Sequence, residues 1–429
     1  MSKQKIIIFW FRRDLRLQDN TGLFLAQQQG FPVLPLFIFD IRILKGLPKD
    51  DARVGFIYQN LQSIHKELQK HSSSLLVRHG NPTLIWQELL QKYQIEAVYC
   101  NEDYEPYAME RDNKISRLLE KQGVRWQASK DQVIFAKDEI LSGQGTPYTV
   151  YTPYKNKWLQ VFYNSKLQHS DSANFLQYHR CRIAFPSLKD IGFQSSEITV
   201  PKYDLSCVPK YAELRDFPAM DATSYLGTYL RFGTLSIREL IHSVKEKSDV
   251  FLSELVWREF FMQILFHFPH VVKNNFRAKY DTVAWRNNKK EFSLWCQGKT
   301  GYPIVDAGMR QLNQSGYMHN RVRMIVAAFL CKHLLIDWRW GEKYFAEKLL
   351  DYELASNNGN WQWAAGTGCD AAPYFRVFNP WTQQQKFDKD LQYIRKWLPE
   401  FETKEYPTPM VEHSFARERA LDTYKKGLG

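Results

Sequence analysis

Several short stretches place aromatic side chains beside groups that can hydrogen-bond a flat polar ligand. In SELVWREFF, Glu254 and Trp257 stand three residues apart, so they share one face if the stretch is helical. A carboxylate beside an indole can hydrogen-bond and stack the same planar ligand. The spacing also fits an ordinary helix edge, where a carboxylate lies over a core aromatic, and both interpretations stay open at this point.

A second stretch, GYMHNRVRM, gathers polar groups of different chemistry around one helical turn. Asn320 and Met324 share a face at a spacing of four residues, while Arg321 and Arg323 point elsewhere. The turn therefore offers a neutral amide, a soft sulfur and two guanidiniums that can pair with carboxylates or phosphates. A plain helix start with solvated arginines is the alternative.

The stretch ASNNGNWQWAAGTG sets Trp361 and Trp363 directly after asparagines and a glycine. Asn and Gly are typical of loops and helix starts, so large aromatics beside them are expected to line a cavity, a surface or a ligand. The preceding LLDYEL supplies Asp351 and Glu353, whose carboxylates can accept from an imide N–H or pair with Arg323. Ordinary packing and surface acids are the alternatives.

A candidate phosphate site lies in DATSYLGTYLRFG. Thr223, Ser224 and Gly227 precede an apolar run, which predicts a helix N-terminus that offers hydroxyls and free backbone N–H groups to a phosphate. A simple Ser/Thr cap fits the same residues.

The composition narrows the classes of protein that could carry these groups. The 429 residues predict two or three domains, and 58 Lys and Arg against 46 Asp and Glu give a net charge of +12, which favours a polyanionic partner. The six cysteines include no CxxC pair, which argues against zinc sites and a disulfide framework. No signal-peptide or membrane-spanning run is visible, so we expect a cytoplasmic protein.

Elements that could position these residues follow from the hydrophobic pattern. The first 135 residues alternate short apolar runs with amphipathic segments, which predicts a doubly wound parallel α/β sheet. The expected strands are Ile6–Phe11, Val33–Phe39, Leu75–Val77, Ala97–Cys100 and Val133–Phe135. Because FRRDLRLQDN follows the first strand where a GxGxxG would stand, a dinucleotide site of the Rossmann type is disfavoured.

The rest of the chain has a different pattern. From about Gly143 to Cys207 periodicity is lost, which predicts a long surface connector, and after Tyr211 nearly every segment has helical spacing. We therefore expect an α/β domain at 1–135, a connector at 136–207 and an all-α domain at 208–429.

Taken together, these stretches resemble one family. FWFRRDLRLQDN, TGYPIVDAGMRQLNQSGYMHNRVRM, NNGNWQWAAGTGCDAAPYFRVFNP and FNPWTQQQKFD are similar to the DNA photolyase/cryptochrome family, and most of all to class I cyclobutane pyrimidine dimer photolyases. The similarity covers nearly the whole chain. It implies a monomeric flavoprotein, a carbon–carbon lyase, in which light-excited reduced FAD passes an electron to a dimer flipped out of UV-damaged DNA.

The resemblance implies a role for each motif residue. The residues expected to bind FAD are Tyr211, Thr223, Ser224, Tyr225, Leu226, Gly227, Phe251, Arg258, Asn320, Arg323, Asp351, Tyr352, Glu353 and Asn357. Those expected to bind the dimer or its strand are Glu254, Trp257, Asn320, Arg321, Met324, Trp363, Arg376 and Gln383. The catalytic set is Glu254, Asn357 at flavin N5, and a relay of Trp361, Trp338 and Trp285 that feeds electrons to the flavin.

Four positions depart from the family pattern and put contact details in question. Glu353 stands where Asp is usual, Gly227 where Ser is common, Phe251 where Trp is frequent, and Tyr317 where Trp is common.

The expected antenna site is also unusual. NEDYEPYAMERD has Tyr107 and Ala108 where folate-binding members have Asn-Glu, which favours 8-hydroxy-deazaflavin or a flavin over methenyl-folate as a second chromophore. Arg53, Asp103 and Glu105 are the residues expected to line such a pocket, if the chain binds an antenna at all.

Three alternative functions are considered. A cryptochrome photoreceptor is disfavoured by Asn357, by the dimer-binding set and by the lack of a long polar tail after Gly429. A (6-4) photolyase should have a histidine pair where His319 is followed by Asn320. A non-catalytic single-strand DNA-binding module would leave Asn357 and the phosphate cradle unexplained.

Overall fold

The computed structural model describes residues 4–166, 169, 170, 172 and 177–429. The chain forms two compact units, each assembled from several stretches. The first unit runs through Ala136 and adds Val161–Pro201 and Leu226–Ser243. The second comprises Lys137–Gln160, Lys202–Tyr225 and Val244–Gly429. The division expected from sequence stays a prediction: its first boundary lies one residue from the end of the first stretch, and beyond that point the two units alternate along the chain.

The first unit contains a five-stranded sheet in the order β3-β2-β1-β4-β5, in which every neighbouring pair is parallel. The strands are β1 (Lys5–Phe11), β2 (Val33–Asp40), β3 (Leu76–Gly80), β4 (Gln94–Asn101) and β5 (Arg125–Ser129). The order steps outward from β1 in both directions, as in doubly wound folds. This confirms the predicted fold class for the N-terminal domain.

Burial on both faces explains the near-continuous apolar strands. In β1, Ile7 and Phe9 pack in one hydrophobic cluster, while Ile8 and Trp10 pack in a second cluster on the opposite face. Helices cover both faces, since α1 and α3 contribute to the first cluster and α4 and α5 to the second. The helices of this unit are α1 (Thr21–Gln27), α2 (Ile41–Leu44), α3 (Ala52–Lys70), α4 (Pro82–Lys92), α5 (Pro106–Glu120), α8 (Leu226–Arg231) and most of α9 (Ile237–Val244).

The expected fifth strand at Val133–Phe135 is wrong. The edge strand is β5, at Arg125–Ser129, whose sequence RWQAS is largely polar and only partly buried. Val133 and Ile134 are buried in irregular backbone instead. An edge strand has one neighbour and an exposed side, so it does not need the apolar run that marks the central strands.

The second unit is helical, as predicted. Its helices are α6 (Tyr151–Asn164, of which the second unit holds the first ten residues), α7 (Tyr211–Leu214), α10 (Asp249–His267), α11 (Lys289–Gln297), α12 (Pro303–Ser315), α13 (Asn320–Ala328), α14 (Trp338–Lys348), α15 (Leu354–Ala365), α16 (Pro380–Phe387), α17 (Gln392–Trp397) and α18 (His413–Leu428). A π-helical turn, Phe329–His333, continues α13. Buried side chains of α12, α13 and α15 form the centre of its core.

The expected surface connector is only partly correct, because α6 lies inside it. Tyr151, Tyr154 and Trp158 are buried along one side of this helix, at spacings of three and four residues.

Among the described residues, none of the helices combines the length and the apolar character that a membrane span needs.

Candidate functional site

A cavity with about 600 Å³ of space between protein atoms, part of it open to solvent, lies in the second unit. Helices α13, α14 and α15 and the turn before α15 surround it. Its lining consists of Asn320, Arg323, Met324, Ala327, Phe345, Leu349, Asp351, Tyr352, Glu353, Ser356, Asn357, Asn360, Trp361, Trp363 and Ala364. Eight of the residues expected at the FAD or dimer sites are therefore neighbours in space, together with Trp361 of the expected relay: Asn320, Arg323, Met324, Asp351, Tyr352, Glu353, Asn357 and Trp363.

An ion pair stands at one side of this cavity. Nη2 of Arg323 lies 2.9 Å from Oδ2 of Asp351, and Nε of Arg323 donates to the backbone O of Met318 at 2.7 Å. The Asp351 carboxylate raises the pKa of Arg323, although burial acts in the opposite direction. Oδ1 of Asp351 is buried and accepts no hydrogen bond from the described residues. The pairing expected from sequence is present, and it leaves one carboxylate oxygen available to a donor.

Asn357 is held in one orientation by α14. Its Nδ2 donates to the backbone O of Glu342 at 3.0 Å and to Oε1 of the same residue at 3.1 Å. A backbone carbonyl accepts and never donates, so the amide nitrogen must face Glu342 and Oδ1 remains to accept from a ligand. Burial raises the pKa of the Glu342 carboxyl.

A second ion pair joins α10 to the start of α15. Nη2 of Arg258 lies 3.4 Å from Oε1 of Glu353, and both side chains are nearly buried. Oε2 of Glu353 accepts from Oγ of Ser356 at 3.2 Å. Glu353, longer by one methylene than the usual Asp, therefore reaches both α10 and the first turn of α15.

The two tryptophans of the WQW motif occupy different environments. Trp361 is buried and packs edge-on against Phe345, with ring centroids 4.9 Å apart. Trp363 is partly exposed where it lines the cavity. Residues two apart on a helix point in different directions, which explains the difference.

The other expected relay residues lie outside the cavity lining. Trp338 is fully buried and its Nε1 donates to Oδ1 of Asn275 at 2.8 Å. Trp285 is half-buried and packs edge-on against Tyr424, with centroids 5.9 Å apart. Electron transfer along these residues stays a prediction.

Glu254 and Trp257 lie on α10, outside the cavity lining. The Glu254 carboxylate pairs with Arg215, and burial raises the pKa of Glu254 although Arg215 opposes that rise. The ring of Trp257 is stacked by Tyr151 at a centroid distance of 3.5 Å. Sequence predicts the shared face of these two residues but neither of their partners.

Three expected DNA-strand residues also occupy separate positions. Nη2 of Arg321 lies 2.6 Å from Oδ1 of Asp216, and its guanidinium stands over the ring of Phe387 at 4.5 Å. Arg376 is exposed, and Gln383 lies partly exposed on α16.

The expected phosphate cradle is divided between the two units. Tyr211 packs edge-on against Phe251, with ring centroids 5.0 Å apart. Thr223, Ser224 and Tyr225 belong to the second unit and directly precede α8 in the chain. Leu226 and Gly227 begin α8 in the first unit, where Leu226 is buried and Gly227 exposed. Tyr225 has a φ of +53°, the left-handed region that a non-glycine residue rarely adopts. A helix does begin where sequence predicts one.

Comparisons with known proteins give the family of this chain. Residues 7–172 match the family model described as DNA photolyase, and residues 251–405 match the FAD binding domain of DNA photolyase. The deoxyribodipyrimidine photo-lyase of a Synechococcus species is 36% identical over 467 residues, which cover 98% of this chain and 96% of that protein.

The chain belongs to the DNA photolyase family. A bacterial class III photolyase from Agrobacterium tumefaciens is 35% identical, with a TM-score of 0.88, 100% of this chain covered and 98% of the other. An archaeal photolyase from Sulfolobus tokodaii, described with two FAD molecules, is also 35% identical, with a TM-score of 0.82 and coverages of 98% and 99%. The predictions of a photolyase enzyme and of FAD as its cofactor are confirmed; class I membership stays a prediction.

The cavity fits the FAD of a photolyase by the chemistry of its groups. The buried, unpartnered Oδ1 of Asp351 can accept from an N–H at a flavin edge, and Arg323 can donate to an oxygen there. Asn357 presents an uncharged acceptor, and Phe345 and Trp361 supply apolar surface for a ring system.

The residues expected at the antenna site have separate ion-pair partners. Arg53 binds Asp51 through Nε at 2.9 Å, whereas Arg13 contacts Asp103 at 3.1 Å and Glu105 at 3.3 Å. A small cavity in the first unit includes Asp103 in its lining but neither Arg53 nor Glu105. A second chromophore stays a prediction, and the two FAD molecules described for the Sulfolobus tokodaii photolyase are consistent with it.

Sequence reasoning missed several residues that contact the expected site residues. Glu342 binds Asn357, and Tyr151 stacks on Trp257. Arg215 pairs with Glu254, and Asp216 pairs with Arg321. Each lies more than ten residues from its partner, so no local spacing marks it. For Tyr151 alone the sequence carries a signal, because the aromatic residues of α6 recur at spacings of three and four.

Proposed function

We propose that this protein uses light to repair cyclobutane pyrimidine dimers in DNA. The observation that carries the proposal is the shared lining of one cavity by Arg323, Asp351, Asn357 and Trp363, in a chain whose relatives are named deoxyribodipyrimidine photo-lyases. FAD, when bound and reduced, supplies a light-excited electron that opens the cyclobutane ring and afterwards takes the electron back, so the repair involves no net oxidation or reduction.

The cavity residues would bind and orient the flavin rather than react with it. The pair of Arg323 and Asp351 supplies a donor and an acceptor of fixed geometry, held by the bond from Arg323 to Met318. Asn357 supplies an acceptor whose direction Glu342 fixes. Preorganised groups of this kind need little rearrangement when the cofactor binds.

Residues at the open side would bind the dimer. Trp363, Asn320 and Met324 line the cavity together and offer an aromatic face, an amide and a sulfur. An extruded base can stack on the indole and hydrogen-bond the amide through its edge. Extrusion costs least at a damaged step that is already poorly stacked, which supplies part of the selectivity.

Sequence-independent attraction would come from charge. The net charge of +12 favours the phosphate backbone, and Arg321 and Arg376 are the residues expected to contact it near the dimer. We expect the protein to act as a monomer in the cytoplasm, on nucleoid DNA.

Blue-light repair of a defined oligonucleotide tests the proposal. The reduced, FAD-loaded protein is mixed with an oligonucleotide that contains one thymine cyclobutane dimer, and recovery of absorbance at the thymine band is followed in light and in darkness. We expect recovery in light only. An identical oligonucleotide with a (6-4) photoproduct is the matched control and should stay unrepaired.

Two results would contradict the proposal. Repair of the (6-4) photoproduct alone would show that the substrate is that lesion and not the cyclobutane dimer. No repair of either lesion by a protein that retains FAD would favour a photoreceptor of the cryptochrome type.

A further inference from the structure

The N-terminal residue of α6 makes an unusually complete contact with a predicted dimer-binding tryptophan. The rings of Tyr151 and Trp257 are nearly parallel, at an interplanar angle of 8°, and their centroids are only 3.5 Å apart. At that distance with full overlap, one face of the indole is covered by the phenol ring.

Tyr151 itself is fixed from three directions. Its hydroxyl donates to the backbone O of Ser253 at 2.7 Å and lies at the same distance from Oγ of that residue. Its backbone N–H donates to Oδ2 of Asp370 at 2.9 Å. The residue is only 7% exposed. A ring held at its hydroxyl, its backbone and its face acts as a rigid support and not as a movable cover.

Trp257 has two further aromatic neighbours. Phe261 lies at a centroid distance of 5.4 Å with an interplanar angle of 27°, Phe260 packs edge-on at 5.6 Å, and Trp257 remains partly exposed. The ring of Phe261 lies directly against Gly359 of α15, since a Cβ added at that glycine would be 2.1 Å from its Cδ1. The indole is therefore held on the Tyr151 side and keeps some accessible surface elsewhere.

Asp370 links this support to the second expected wall of the dimer pocket. It follows α15, the helix that carries Trp363, and its carboxylate holds the first N–H of α6. An acidic group at a helix N-terminus is favoured by the unpaired N–H groups there. One residue pair thus connects the segment that supports Trp257 with the segment that follows Trp363.

We propose that Tyr151 is a positioning residue for lesion binding: its stacked ring and its tie to Asp370 hold Trp257 in the orientation that a flipped-out pyrimidine dimer stacks against. The proposal rests on the proposed function, since it assumes that Trp257 contacts the lesion. Tyr151 touches neither lesion nor flavin and acts through Trp257. Its contribution is preorganisation, because an indole already fixed loses little rotamer freedom when a base stacks on it.

Two substitutions separate stacking from hydrogen bonding. Tyr151→Leu removes the ring, whereas Tyr151→Phe keeps the ring and loses only the bonds to Ser253. Immobilising one side chain changes affinity by roughly 2- to 12-fold. We expect Tyr151→Leu to weaken binding of dimer-containing DNA by about that factor and Tyr151→Phe to restore it to within about twofold of wild type.

The readouts distinguish positioning from general damage to the fold. Affinity for undamaged DNA, the FAD content and the repair rate at saturating dimer-containing DNA should match wild type in Tyr151→Leu. In a Trp257→Ala background, Tyr151→Leu should have no further effect on lesion affinity, because its target is gone. If the leucine variant does not fold, Tyr151→Met, which keeps more of the buried length, takes its place in the same cycle.

Three results would overturn the proposal: wild-type lesion affinity in Tyr151→Leu, an equal loss of affinity for damaged and undamaged DNA, or an undiminished effect in the Trp257→Ala background. Failure of the proposed function is recognised separately, because then the wild-type protein itself neither prefers nor repairs dimer-containing DNA.

Discussion

The hydrogen bonds of Asn357 allow a quantitative test of how the cavity stabilises a reduced flavin. Its Nδ2 is bound by two acceptors of Glu342, the backbone O at 3.0 Å and Oε1 at 3.1 Å, so Oδ1 faces away from α14. From the family resemblance we expect Asn357 at flavin N5. An acceptor there favours the reduced cofactor, which carries a proton on N5, over the oxidised cofactor, whose N5 is itself an acceptor.

Glu342→Leu removes the side-chain acceptor, so the backbone O at position 342 alone holds the amide and the orientation of Asn357 is less tightly fixed. The net contribution of one hydrogen bond is about 0.5–1.5 kcal/mol, which at 59 mV per factor of ten corresponds to roughly 20–65 mV for a one-electron couple. We therefore expect the midpoint potential of bound FAD to fall by about that amount. Spectroelectrochemical titration of the FAD-loaded protein measures it.

Glu342→Gln is the matched control for charge. Both variants lack the carboxylate, but glutamine keeps an oxygen that accepts from Asn357. The potential of Glu342→Gln should therefore lie above that of Glu342→Leu. Equal potentials in the two variants would refute the reasoning, because the orientation of Asn357 would then be independent of this side chain.

Three further predictions concern residues of the second unit. Trp363→Ala should weaken binding of dimer-containing DNA by about 1–3 kcal/mol without changing the slope of log affinity against log salt, since a stacking contact and no phosphate contact is lost; a changed slope in a binding titration would contradict this. Gly341→Ala should cost about 1–3 kcal/mol of stability in a thermal melt, because its Cβ would lie 2.1 Å from Cη2 of Trp361, whereas Gly55→Ala, with no atom within 4 Å, should not destabilise. Burial lowers the pKa of Lys332 from its ordinary 10.5 to about 7. Between these two pH values the unfolded chain binds a proton that the folded chain has lost. The contribution of Lys332 to the free energy of unfolding therefore rises with pH across that window. Lys332→Met should lose that rise, and parallel curves of unfolding free energy against pH for the two proteins would count against it.

The sheet could be predicted from sequence because its central strands are buried on both faces. β1 and β2 need apolar residues at nearly every position, and this requirement is visible without a structure. β5 escapes the same reasoning, since an edge strand tolerates the polar RWQAS. The sequence does not predict α6 for another reason. Pro153 and the surrounding Thr and Tyr residues are typical of a loop, although proline is well tolerated in the first turn of a helix.

The site could be predicted one helix at a time, because residues three or four apart on a helix share a face. Asn320 and Met324 were expected together from spacing alone, and both line the cavity. The partners of the site are a different matter. Arg215 meets Glu254 across 39 residues of sequence and Arg321 meets Asp216 across 105, and such pairs depend on how helices pack.

These unpredicted partners change what the expected dimer-binding residues can do. Glu254 is paired with Arg215, so it can accept from a base edge only if Arg215 gives up this contact. Arg321 is paired with Asp216 in the same way, and all four side chains keep between 19% and 38% of their surface exposed. Partly exposed ion pairs are worth only about 0–1 kcal/mol, so a phosphate can replace the carboxylate as the partner of an arginine at little cost. A DNA backbone that binds Arg215 would then release Glu254 for the base edge, which couples the sequence-independent contact to the recognition of the lesion.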